Sequence, residues 1–174
     1  CRMPLGVGSP GGVCAGCWGR VLRLPLTVCG RCSDACEAAV EGAPPICAAC
    51  RLHPPPFEAA RAVAPFEGSA REILHCFKFN DQPELARPLG REMAGLLTSS
   101  KRMPEIVVPV PQRLLKRRLR GYDPAGMLAR EVSKASGIPV SRRVLIKVRR
   151  TRDQAPAERL DRRNPCGSAR GKDR

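Results

Sequence analysis

Six of the ten cysteines in this 174-residue chain form three C-x-x-C pairs, Cys14/Cys17, Cys29/Cys32 and Cys47/Cys50, separated by gaps of 11 and 14 residues. Each C-x-x-C turn sets two thiolates side by side, which is half of a tetrahedral thiolate site. A second turn roughly 10–20 residues away supplies the other half. Three pairs within 37 residues therefore predict a zinc cofactor. A disulfide framework could use the same residues but requires an oxidising compartment, and no secretory apolar segment supports one. Zinc also answers an energetic need. Residues 1–55 hold few large apolar side chains, so metal binding has to supply folding energy that a hydrophobic core cannot.

One complete four-cysteine site is expected from the three pairs. Which two pairs share the ion stays open, with Cys14/Cys17 and Cys47/Cys50 the preferred combination. Cys1 is separated from Cys14 by 12 residues, a spacing like that between the pairs, and reads as the second member of a further pair lying upstream. Cys36 is a substitute ligand, and His53 a further candidate beside the linker-like Pro54-Pro55-Pro56. Cys76 falls on an amphipathic pattern, where a buried thiol packs as a small hydrophobe. Cys166 lies in a polar tail.

A second chemistry comes from charge. The formal net charge is +15, and residues 101–174 carry 21 Lys and Arg against 7 Asp and Glu. Such a segment attracts phosphates, on a nucleotide or along nucleic acid. Its densest run, Arg113 to Gly121, lies between the apolar run 105–110 and a helix start at Asp123-Pro124. Strand, basic loop and helix N-terminus in that order form a phosphate-holding arrangement, because backbone N–H groups point outward at the helix start. A solvated basic loop beside an ordinary βα unit is the bland reading of the same residues. Aromatic content is 3%, which argues against a base-stacking surface for single-stranded nucleic acid, since stacking needs exposed rings. The longest apolar stretches are five or six residues, far below the roughly 20 that a membrane helix needs, and a cytoplasmic protein is expected.

The elements that must position these residues follow from pattern. Residues 1–52 form a Cys-pair module and 53–57 a stiff connector, with 58–66 a short strand or extended lead-in. Ser69 with Glu72 is a capping-box pattern, opening a helix to about Phe79 with Ile73, Leu74 and Phe77 on its buried face. Residues 83–98 are helical, with Pro88 and Gly90 weakening the middle. The run 105–110, bounded by prolines, is a buried parallel strand. Asp123 caps and Pro124 starts a helix that buries Ala125, Leu128, Ala129 and Val132 and stops at Gly137. Residues 142–150 alternate as a strand with one wet, positive face. The fold class is α/β, a zinc-ribbon module followed by a partial domain over 58–164 and a tail over 165–174.

Several segments also resemble the ComF family. They are CRMPL (1–5) with the Cys pairs, CAACRLHPPPFEAARA (47–62), GSAREILHCFKFNDQPELARPLGREMAGLL (68–97), VVPVPQRLLKRRLRGYDPAGMLARE (107–131) and TRDQAPAERLDRRN (151–164), in consistent order. That family is similar to type I phosphoribosyltransferases and is linked to competence and to the use of imported DNA. The resemblance implies a parallel sheet that binds phosphoribosyl pyrophosphate. It implies a pyrophosphate loop over Pro111 to Gly121 with Lys116, Arg118, Arg120 and Gly121 as its binding residues, and a flap carrying Arg152, Gln154, Arg159, Arg163 and Asn164. It also implies partners in the DNA-uptake machinery.

Three departures stand against the family pattern: Tyr122-Asp123 for Phe-Asn, Gln112-Arg113 for Leu-His, and no acidic pair or Thr-Thr after Asn164. The chain opens on Cys1 and stops at Arg174, so a piece of a longer protein is expected. On this reading the chain alone does not catalyse phosphoribosyl transfer and binds pyrophosphate-like anions weakly and without selectivity. A zinc-dependent single-stranded nucleic-acid module and a non-functional remnant are the alternatives.

Overall fold

A computed structural model describes residues 12–21, 27–37, 44–98, 103–112 and 121–148. Its elements are α1 (Ala15–Gly19), α2 (Ala48–Leu52), α3 (Gly68–Phe79), a 3₁₀ turn (Pro83–Leu85), α4 (Ala86–Thr98) and α5 (Pro124–Ser136). Ala70, Ile73 and Phe77 recur at helical spacing, so α3 presents one apolar stripe, and all three are buried. Phe77 and Leu85 are fully buried; with Ile73 and Ala86 they form the core. Val13, Trp18 and Val21 of the Cys-rich segment pack against it, as do Tyr122, Met127 and Leu128. The Tyr122 hydroxyl donates to the Phe77 carbonyl, and the two rings lie 6.1 Å apart. A phenol thus ties the start of α5 to α3 in a way that a phenylalanine could not.

The start of α3 differs from the capping-box expectation. Glu67 is the N-cap and makes no side-chain cap bond. Gly68 takes a φ of 48° and turns the chain into the helix before Ser69, which leaves Ser69 inside the first turn. In α4, Pro88 and Gly90 do not interrupt the helix. Pro88 sits in the first turn, where a missing N–H costs little. Gly90 faces α5, and a Cβ there would lie 2.4 Å from the Glu131 Cβ. Glycine is the condition for the close approach of α4 and α5 rather than a weak point.

Helix α5 follows its sequence signals. The Asp123 carboxylate accepts the Gly126 N–H at 3.1 Å, Pro124 opens the first turn, and Gly137 ends the helix with a φ of 77°. Ala129 and Val132 are buried, and Ala125 and Leu128 half-buried.

The strand expectations are corrected. No ladder forms among the described residues, only isolated bridges joining Val28 antiparallel to Ala35 and Val107 parallel to Val140. Val107 and Val108 are half-buried, but Ile106 is 44% and Val110 75% exposed. The expected alternating strand over 142–150 is not formed in its described part. Val144, Ile146 and Val148 are all exposed, so there is no dry face. An apolar strand is buried only by neighbours on both faces, and the described residues bring one bridge to this edge. The chain is thus partly helical, with few strand contacts, and no helix among the described residues is long and apolar enough to cross a membrane.

Candidate metal centre

The sulfurs of Cys29, Cys32, Cys47 and Cys50 all lie within 4.8 Å of one another. The Cys32 and Cys47 sulfurs are 3.7 Å apart. A tetrahedron with metal–sulfur bonds of about 2.3 Å has an edge of about 3.8 Å, so this separation already matches a bound ion. Four sulfur donors with no oxygen suit a soft or borderline metal of tetrahedral preference, which zinc and iron both satisfy.

The backbone explains why these four meet. The Cys29 N–H donates to the Asp34 carbonyl at 2.8 Å and the Ser33 N–H returns to the Cys29 carbonyl at 2.9 Å, which closes the first turn. Ser33 holds a φ of 62° and is buried; its hydroxyl donates to the Ala60 carbonyl at 2.9 Å. The Gly30 N–H donates to the Pro45 carbonyl at 2.8 Å, and a Cβ on Gly30 would meet Pro44 at 2.9 Å. The second pair is thereby pressed onto the first. Cys47 caps α2 and Cys50 is buried inside it. Behind the first turn, the Ala60 N–H donates to the Arg31 carbonyl at 2.7 Å and the Arg61 guanidinium to the Gly30 carbonyl at 2.8 Å.

Electrostatics favour thiolate at one sulfur. Burial raises the Cys29 thiol pKa, but N–H groups of Cys47, Cys32 and Arg31 aimed at the sulfur outweigh it and hold the group at about 6. The Cys47 and Arg31 N–H groups both lie 3.4 Å from that sulfur. Burial pushes Cys50 up, and burial with the neighbouring sulfurs pushes Cys32 well up. A cation entering the cluster therefore meets a ready thiolate at Cys29 and displaces protons from Cys32 and Cys50.

The preferred pairing of Cys14/Cys17 with Cys47/Cys50 is not the one that forms. Cys14 caps α1 and accepts the Cys17 N–H at 3.4 Å, while Arg20 donates to the Cys17 sulfur at 3.5 Å. Trp18 and Val21 hold this segment against the helical core, and Cys14 and Cys17 are not among the four clustered sulfurs. Cys36 is half-buried outside the cluster, and His53 is the exposed C-cap of α2. Cys76 packs against the core but is half-buried rather than buried.

Of the phosphate candidates, Gly121 is exposed with a φ of 79°. Lys116, Arg118 and Arg120 lie outside the described residues, as do Arg152, Gln154, Arg159, Arg163 and Asn164. One contact at this end gave no sequence signal. Arg142 reaches across 19 positions to Asp123 at 2.6 Å and brings a guanidinium to the N-terminus of α5.

Competence protein F of Haemophilus influenzae is 25% identical over 174 residues, covering 97% of this chain and 73% of that protein. DNA utilization protein YhgH of Salmonella typhimurium is 27% identical over 94% of this chain and 72% of its own length. YhgH of Escherichia coli strain K12 is 28% identical over 77% of this chain and 59% of its own length. No family model matches the chain, and no solved structure matches it significantly.

Proposed function

We propose, from the premise that this chain is a homologue of the ComF-type proteins Competence protein F and DNA utilization protein YhgH, that it serves in the uptake or utilisation of DNA. The observation that carries this is the match to Competence protein F along 97% of the chain. In this reading Cys29, Cys32, Cys47 and Cys50 hold a structural zinc. All four positions are taken by protein sulfur, which leaves no open position for substrate. The zinc would fix the turn 29–33 and α2 against residues 60 and 61.

The phosphate chemistry belongs at the other end. The segment from Val107 leads through the basic run to the N-terminus of α5, where Asp123 and Arg142 already meet. Lys116, Arg118, Arg120 and Gly121 would hold a pyrophosphate-type anion such as that of phosphoribosyl pyrophosphate. Arg152, Gln154, Arg159, Arg163 and Asn164 would belong to the flap over it. The helix N-terminus and the run of cations both favour an anion there.

The test is complementation. A fusion of this chain to the part of YhgH that it does not span, expressed in Escherichia coli K12 lacking its own YhgH, is expected to restore the lost DNA utilisation, and a Cys29→Ala/Cys32→Ala variant of the fusion is expected not to. No restoration by the fusion, with the protein shown to be present and folded, would refute the reading.

A further inference from the structure

Away from the residues placed above, α4 and α5 enclose an open cleft of about 380 Å³ lined by Arg87, Arg91, Glu131, Lys134 and Ala135. Its shape follows from the sequence. Gly90 lets α4 press onto Glu131, and that contact sets Arg87 and Arg91, four residues apart and hence on one face, beside Lys134 of α5. Glu131 is half-buried, and its carboxylate accepts from Lys134 at 2.6 Å. The lining therefore carries three cations against one carboxylate that is already engaged. Among the described residues neither Arg87 nor Arg91 makes an ion pair or hydrogen bond. Two exposed guanidinium groups on one helix face repel one another unless an anion lies between them.

We infer that this cleft takes phosphates of a nucleic-acid strand, through the phosphodiester backbone. The lining fits that partner and little else. It offers guanidinium forks, which match phosphate geometry. It has no ring on which a base could stack and no neutral hydrogen-bonding side chain to read one, so recognition is by charge and independent of sequence. A lone small anion held by exposed arginines would be lost to solvent and salt. A strand makes several such contacts at once. Lys134 stands about 15 Å along α5 from Pro124, so the cleft is separate from the helix N-terminus given to the pyrophosphate-type anion. The inference extends the DNA-handling reading, but its test does not use complementation, so the two can fail independently.

The experiment is fluorescence anisotropy of the full chain with a labelled single-stranded oligodeoxythymidylate across a salt series. Arg87→Ala/Arg91→Ala is expected to weaken binding about tenfold. It should also reduce the slope of log affinity against log salt by about 1.4, the share of two phosphate contacts on a single strand. Arg71→Ala removes an exposed arginine on α3 outside the cleft and is expected to leave the slope unchanged. Arg87→Lys/Arg91→Lys, which keeps both charges, is expected to keep the slope. An unchanged slope in the double alanine variant would overturn the inference, as would no binding by the wild-type chain or an equal loss in Arg71→Ala.

Discussion

Replacing Cys50 with Ser is expected to unfold residues 27–61 while the core formed by α3, α4 and α5 stays standing. Between residues 27 and 61 the buried described residues are Cys29, Ser33 and Cys50, so this segment has almost no apolar core of its own. Structural zinc in small thiolate modules supplies an apparent free energy of about 10–16 kcal/mol near neutral pH, and no packing here replaces it. The core is held separately, by Phe77, Leu85, Ile73 and Ala86 with Trp18 against them. Tryptic cleavage at Arg31, Arg51 and Arg61 should therefore accelerate strongly in the variant, while emission from Trp18 stays at its wild-type wavelength. Unchanged protection of those three sites would mean that the cysteine cluster contributes nothing to the fold.

Phe77→Ala should do the converse. Phe77 is fully buried, touches the Tyr122 ring, and offers the carbonyl that the Tyr122 hydroxyl uses. Truncating such a phenylalanine costs about 3–5 kcal/mol, a large share of the about 5–15 kcal/mol that holds a domain together. Urea unfolding followed by Trp18 fluorescence should show a much lower midpoint, with Trp18 red-shifted in the destabilised state. The metal content should be retained, because the four sulfurs draw their scaffold from residues 29–61. A midpoint within error of wild type would remove Phe77 from the centre of the core.

What could be read in the sequence, and what could not, divides along the range of the forces involved. Local signals held. Asp123-Pro124 opened α5 and Gly137 closed it because caps act within one turn, and Ile73 and Phe77 were assigned to the buried face from spacing alone. The C-x-x-C turns were legible for the same reason. Which turns pair was not. That depends on the Gly30–Pro45 hydrogen bond and on Trp18 packing α1 against the helical core, and neither leaves a trace in cysteine spacing. Gly90 looks like a weak point in the helix from sequence because its role is fixed by Glu131, 41 positions away. The buried strand at Val107–Val110 fails because the described residues bring it a single bridge, from Val140, and no local pattern encodes that. Composition misled as well. The chain has four phenylalanines, yet Phe57, Phe66 and Phe79 are exposed at 45%, 66% and 62%, so scarcity of rings did not mean scarcity on the surface.

The metal pairing is settled most directly by zinc content, measured by elemental mass spectrometry on the purified chain and on two double variants. The wild-type chain should carry about one equivalent in the four-sulfur site. Cys14→Ala/Cys17→Ala should retain that equivalent, and Cys29→Ala/Cys32→Ala should lose it. Less than about half an equivalent in the wild type, or equal loss in both variants, would contradict a zinc held by Cys29, Cys32, Cys47 and Cys50.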